Sequence, residues 1–241
     1  MYHPLFCVGK NGMPFVKKKK IDNIAQNYVQ DFCPDALKTP QALDVEKFIE
    51  YYLGLNLDYR SLSADKEVLG MTVFCDTIFA PMGTIIISKE LAENKRQQHR
   101  CRFTLAHECG HWIFHKKYYN YNPDQLELFV GECERACFTE CRVVNQKDER
   151  NTLQWTDERW REWHADKFAS AFLMPNMAVD ILRERFGKEF SSCEIISEFL
   201  EKMVDVFDVS AQAAYFRLCD LKYVNDDSID EKQISLLQVE K

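Results

Sequence analysis

At 241 residues, 46% hydrophobic and 29% charged, the chain has the makeup of a globular protein of one generous domain or two small ones, which excludes disorder, collagen and coiled coil. Its 31 basic residues stand against 38 acidic ones, a net charge of -7, so no global positive field draws nucleic acid or anionic lipid, and only a local basic face is left open. The longest apolar runs, Ile85 to Ile87 and Ala171 to Met174, fall far short of the roughly 20 residues a bilayer requires, which excludes a membrane span.

Pro4, Gly9, Lys10, Asn11, Gly12 and Pro14 break up the apolar stretch that a signal peptide needs, so the expected location is the cytoplasm. The 10 cysteines lack the dense spacing of small secreted scaffolds, and most are expected to be reduced thiols. Cys133, Cys137 and Cys141 recur at helical spacing, and three thiols on one face can hold a metal if a fourth ligand arrives. Packing along a buried helical stripe is the commoner role for such cysteines.

In chain order, Lys17 to Lys20 reads as the solvated start of a helix, followed by Ile21, Ile24, Ala25, Tyr28 and Val29 at three- and four-residue steps. Val45, Phe48, Ile49 and Tyr52 repeat the pattern over Asp44 to Leu53. From Leu55 to Ser88 the chain turns to short β-branched and aromatic segments, Val68 to Phe74 and Thr84 to Ser88, punctuated by Gly70, Pro81 and Gly83. These predict a small, mainly antiparallel sheet. Lys89 to Lys116 predicts a buried helix, and a further helix is expected around Leu126 to Val143, followed by a polar loop from Asn145 to Thr152. Thr156 or Asp157 then caps a strong helix running to about Met174 and ended by Pro175. Met177 to Phe186, Glu194 to Phe207 and Ala211 to Tyr223 read as helices, the last capped by Ser210; residues 225–241 form a polar tail.

The chemistry begins at His107-Glu108-Cys109-Gly110-His111, an H-E-x-x-H sequence. On a helix, residues i and i+4 share a face, so both imidazoles reach one Zn²⁺ while Glu108 projects beside it. A zinc site with an open position polarises water, and a neighbouring carboxylate takes the proton, the role assigned to Glu108. The bland alternative is a helix with two packed histidines and a surface glutamate.

A third ligand is required. The extended metzincin form fails, because Phe114 and Lys117 stand where its glycine and last histidine belong. His115 is carried away from the metal by helical drift and reads as a packed or capping residue, while His164 lies on another face than Glu162, with an oxyanion-stabilising role as its minor reading. A carboxylate is the better ligand. Glu162 and Asp166 share one face of the helix over 156–174, one to bind zinc and one to orient a ligand histidine through its second ring nitrogen. Such a pair is usually a solvated face, but here it begins a buried stripe of Phe168, Ala169, Phe172 and Leu173 and needs a partner. The combination is that of thermolysin-like zinc peptidases. Glu127, Glu132 and Glu134 are next in line as ligands.

The segments RFTLAHECGHWIFH at 102–115 and EWHADKFASAFLMP at 162–175 resemble the signature segments of the ImmA/IrrE family of metallo-endopeptidases. Beyond the two segments, the similarity over about residues 17–220 is one of layout. The resemblance implies that His107, His111 and Glu162 bind Zn²⁺, that Glu108 is the catalytic base, and that the substrate is a helix-turn-helix transcriptional repressor of a mobile element or stress regulon. Two departures stand out. The 50 residues between His111 and Glu162 are longer than in the best-known members and hold the three cysteines, as a substrate lid or merely an extra helix. The chain also ends soon after residue 224, so the sensor-like C-terminal domain of some members is not expected.

The resulting expectation is an α+β, mainly helical zincin-like domain over 1–190, with an insertion-like region at 116–156 and the small sheet before the active-site helix. Residues 191–224 form a helix-turn-helix-like pair packed on the same core, ahead of the tail at 225–241. In the second helix of that pair only Arg217 and Lys222 are basic, thin cover for DNA phosphates, which favours packing or repressor docking over DNA binding. The competing functional class is a zinc-containing regulatory protein that binds a repressor without cleaving it, and behind it a metal-free helical interaction protein. Glu108 beside an open metal position favours the enzyme.

Overall fold

The computed structural model describes residues 2, 4, 6–8, 12–120, 138–142, 152 and 155–225. It is a mainly helical α+β protein with a small mixed sheet of four strands. A two-residue hairpin, β1 (Cys7–Val8) with β2 (Pro14–Phe15), precedes helix α1 (Lys18–Phe32). Ile21, Ile24, Ala25, Tyr28 and Val29 of α1 are all buried, as their spacing predicts. A 3₁₀ turn follows at Pro34–Leu37. The predicted helix over 44–53 is α-helical only at Val45–Lys47 (α2) and continues as a π-helical turn, Phe48–Tyr52, that buries Phe48 and Ile49.

Strands β3 (Asn56–Arg60), β4 (Val68–Val73), β5 (Thr84–Ser88) and β6 (Phe138–Arg142) are ordered β3-β5-β4-β6. The expected antiparallel character holds for β4 with β5 and β4 with β6, whereas β3 runs parallel to β5. The sheet is also not complete before the helix that carries H-E-x-x-H, since β6 follows it. The helix expected around 126–143 is corrected at its C-terminal end: residues 138–142 are a strand, because the open edge of β4 supplies ladder partners that helical spacing within the segment does not reveal. Cys141 therefore cannot share a helical face with Cys133 and Cys137, which lie outside the described residues, as do the N-terminal remainder of that helix, Glu127, Glu132, Glu134 and the tail from 226.

The strand alternation gives the sheet two different faces. Met71, Val73 and Ile86 cluster with Ala80, against Leu62 and Phe138. Opposite residues of antiparallel strands share a face, so Gly70 and Thr72 of β4, Ile87 and Ile85 of β5, and Cys141 and Thr139 of β6 line the other.

The single helix predicted over 89–116 is three pieces. α3 (Lys89–Glu93) ends at Asn94, whose extended backbone and side-chain oxygen, accepting from the Arg96 N–H at 3.1 Å, start a 3₁₀ turn at Lys95–Gln97. α4 (Gln98–Asn120) then carries the H-E-x-x-H residues, and everything from Thr104 to His111 is buried. α5 (Asp157–Leu173) starts under Thr156, whose hydroxyl accepts from the Arg159 N–H at 3.2 Å. α6 (Asn176–Phe186), α7 (Cys193–Phe207) and α8 (Ala211–Asp220) follow, with α8 ending three residues short of its predicted end at Tyr223.

The fold divides into two compact units. One comprises the described residues within His3–Ile21 and Val45–Ala169, and so holds the sheet, α4 and most of α5. The other comprises Asp22–Asp44 with the described residues from Ser170 on, so residues 170–190 group with α7 and α8. In this second unit Ser192 and Ser210 cap α7 and α8, Asp208 takes the left-handed conformation that ends α7, and Arg217 is a core residue. Its side chain is 2% exposed, donates to Asp22 Oδ1 at 2.6 Å and to the Met174 carbonyl at 2.9 Å, and is not presented to solvent. Among the described residues, no helix is long and apolar enough to cross a membrane, seven cysteines are free thiols and Cys75 is disulfide-bonded.

Candidate metal centre

The centre is assembled by α4, α5 and the Gly70 face of the sheet. His107 and His111 are one turn and a fraction apart on α4, and their Nε2 atoms converge to 2.9 Å. Glu162 of α5 straddles the pair, with Oε2 3.3 Å from His107 Nε2 and Oε1 3.3 Å from His111 Nε2. Donors each about 2.0–2.1 Å from one tetrahedral ion lie roughly 3.3–3.4 Å from each other, so the three groups are spaced to hold one small cation. This buried cluster can hold a metal ion. Burial works against ionised Glu162, but the His111 and His107 imidazoles outweigh it and hold the carboxyl well below the usual carboxylate range.

Glycine at 110 makes the approach of α5 possible. A Cβ there would lie 2.8 Å from Ala165 Cα and 3.1 Å from its carbonyl oxygen, so any side chain would push the two helices apart.

The second ring nitrogens are held as well. His107 Nδ1 is 2.8 Å from Asp166 Oδ1, so it donates to that carboxylate, the place the sequence reading assigned to one of the two α5 acids. His111 Nδ1 is 3.0 Å from His115 Nδ1, and His115 Nε2 is 3.5 Å from His164 Nδ1. Burial, together with His111 and His164, holds His115 well below its ordinary value, and burial pushes His164 down to about 4, so both are neutral near pH 7. A neutral imidazole has one donor and one acceptor. The chain of contacts is satisfied when His111 donates to His115, His115 donates to His164, and His164 bonds the Val16 backbone. That assignment leaves the His111 Nε2 lone pair bare and aimed at His107 and Glu162. At His107 burial lowers the pKa, but Cys141, Asp166 and Glu162 outweigh it and raise it well above its ordinary value, so a metal displaces a proton there.

Glu108 is fully buried. Its Oε2 accepts from the Thr72 hydroxyl at 2.6 Å, whereas its Oε1 has no hydrogen-bond partner. Burial raises its carboxyl, a pull that His111, His107 and Thr72 oppose. Room for the carboxylate comes from Gly70, where a Cβ would sit 2.8 Å from Oε1 and 2.7 Å from Thr104 Cγ2. Cys141 stands opposite Gly70 in the ladder, and its sulfur, one nitrogen of His107 and one carboxylate oxygen of Glu108 all lie within 4.8 Å of each other.

All five residues singled out from the sequence, His107, Glu108, His111, Glu162 and Asp166, thus meet at one place. Sequence reasoning missed Thr72 and Gly70 and counted Cys141 with Cys133 and Cys137 on a helix; the packing of β4 on α4 and the register of β6 on β4 bring them to this place. His115, read as a packed or capping residue, is buried as expected, and the i+4 step that joins His107 to His111 also joins His111 to it. Among the described residues, His164 reaches the centre through His115. A scan of protein-family models finds none that matches the chain, and a search of curated proteins finds no significant relative.

Proposed function

We propose that the protein is a zinc-dependent, cytoplasmic endopeptidase of the zincin type that hydrolyses a peptide bond in a helix-turn-helix transcriptional repressor of a mobile element or stress regulon. The observation that carries the hydrolytic reading is Glu108 Oε1, a buried carboxylate oxygen with no partner, next to three donors spaced for one cation. An unsatisfied buried carboxylate oxygen is costly, and a proton acceptor kept ready for water accounts for it. The repressor substrate rests on the resemblance of residues 102–115 and 162–175 to the ImmA/IrrE segments.

His107, His111 and Glu162 would hold the ion, which when bound supplies Lewis-acid polarisation of a carbonyl and acidification of water. Thr72 fixes one oxygen of Glu108, which leaves Oε1 to take the proton from the attacking water and pass it to the leaving amine. Burial raises the Glu108 carboxyl and so strengthens it as a base. Asp166 and His115 orient the two histidines from behind.

Metal analysis of the purified wild type, Glu108→Gln and Glu162→Ala proteins, paired with cleavage assays on helix-turn-helix repressors of the same genome, tests this. The expected result is zinc in the first two and its loss in the third, with cleavage by the wild type alone. A cognate repressor bound at the zinc-loaded centre but left uncut would overturn the peptidase reading in favour of a binding protein, and cleavage by Glu108→Gln would remove Glu108 as the base.

A further inference from the structure

The reading above uses one set of donors, His107, His111 and Glu162, and leaves a second set that shares His107 with it. That second set is His107, Glu108 and Cys141, again with donor atoms within 4.8 Å of each other. Cys141 is not placed there by chance packing on α4. It belongs to β6, and the register of β6 on β4 sets it opposite Gly70, the one β4 position on that face without a side chain. Gly70 thereby clears the space in which Glu108 Oε1 stands, and a Glu108 carboxylate oxygen lies within 4.8 Å of the Cys141 sulfur. Oε1 itself is buried and unpartnered, a polar atom that a further group nearby can satisfy.

We propose that Cys141 is a fourth protein ligand of the metal held by His107, His111 and Glu162, and that its thiolate occupies the position a catalytic water needs. The inference rests on the metal-site reading and adds a regulatory state to it. Sulfur binds zinc at about 2.3 Å and a Cys-His₂-carboxylate set completes a tetrahedron, the closed arrangement of a structural site. Coordination exchanges the thiol proton for the metal and releases that proton to solvent. With Cys141 bound the centre is latent. With Cys141 withdrawn, the three remaining ligands keep the ion and water regains its place beside Glu108. Cys141 stands beside an irregularity of the β4–β6 ladder, the register shift between Val68 and Gly70.

Cobalt substitution of the full chain, without thiol reductant, tests this. A thiolate ligand gives cobalt(II) a near-ultraviolet sulfur-to-metal charge-transfer band, whereas nitrogen and oxygen donors give only the visible ligand-field bands. The wild type is expected to show both. Cys141→Ser and Cys141→Ala are expected to lose the charge-transfer band while keeping bound cobalt and its visible bands, and Cys219→Ser is expected to keep everything. Cobalt bound with visible bands that vanish in Glu162→Ala, but without a charge-transfer band in the wild type, overturns Cys141 ligation and leaves the metal site standing. A charge-transfer band that survives both Cys141 variants overturns it as well. No cobalt bound by the wild type overturns this inference and the metal-site reading together.

Discussion

His115 lies one helical step beyond His111 and shows what a side chain at that position can do. It sits too far along α4 to join His107, His111 and Glu162, yet it is fully buried and is the partner of His111 Nδ1 among the described residues, at 3.0 Å. A metal-bound imidazole with a satisfied second nitrogen is fixed in tautomer and ring orientation, and loss of such a partner typically lowers metal affinity about 10–100-fold. His115→Phe keeps the buried aromatic volume between Phe114 and His164 but removes the acceptor. Competition against a chelating dye is expected to show zinc affinity falling about 10-fold or more, with secondary structure intact. An unchanged affinity would return His115 to a packing role. Asp166→Asn, which keeps an oxygen acceptor for His107 Nδ1 but removes the charge, should cost less than Asp166→Ala in the same assay.

At the scale of elements, Gly110 decides how closely α4 and α5 cross. Two effects of Gly110→Ala oppose each other. Alanine is the better helix former by about 1 kcal/mol in a helix interior. Its Cβ would meet backbone at 2.8 Å, and overpacking of that kind costs about 1–3 kcal/mol because a backbone atom cannot swing aside as a side-chain tip does. The clash wins, and it is relieved by displacement of α5, which carries Glu162 away from His107 and His111. The variant is expected to retain helix content by circular dichroism while losing bound zinc. Full zinc content would mean that the crossing tolerates a methyl group and that Glu162 is positioned by other contacts. The same crossing explains what the sequence made readable. His107, Glu108 and His111 meet through one helix, and Glu162 and Asp166 share a face of another, so spacing alone identifies each pair. Thr72 and Gly70 reach Glu108 because β4 packs on α4, and Cys141 because β6 pairs with β4, both non-local facts with no trace in the spacing of any one segment. The expected helix over 126–143 failed at 138–142 for the same reason.

At the scale of the whole molecule, burial of ionisable groups ties stability to pH. Arg217 could be counted among surface charges from its place in α8, yet burial and its pairing with Asp22 make it part of the core. The histidines carry the pH dependence. His164 is 1% exposed, and burial lowers it from an ordinary value of 6.5 to about 4. Above pH 6.5 it is neutral in the folded and unfolded chain alike and contributes nothing to the pH dependence. As pH falls below 6.5 the unfolded chain takes up a proton that the folded one refuses, so stability declines until the folded group titrates near 4. The full penalty is about 3 kcal/mol, from roughly 1.4 kcal/mol per pKa unit. Other groups titrate in or near this window, His107 in the opposite sense, so the useful quantity is a difference between variants. His164→Gln keeps one donor and one acceptor but does not titrate. Denaturant unfolding with a chelator present is expected to give a wild type that loses about 2–3 kcal/mol more than His164→Gln between pH 7.5 and pH 4.5. Parallel profiles for the two proteins would mean that His164 takes up its proton as readily when folded as when unfolded, and that the buried histidine chain from His111 to Val16 is not held in its neutral form.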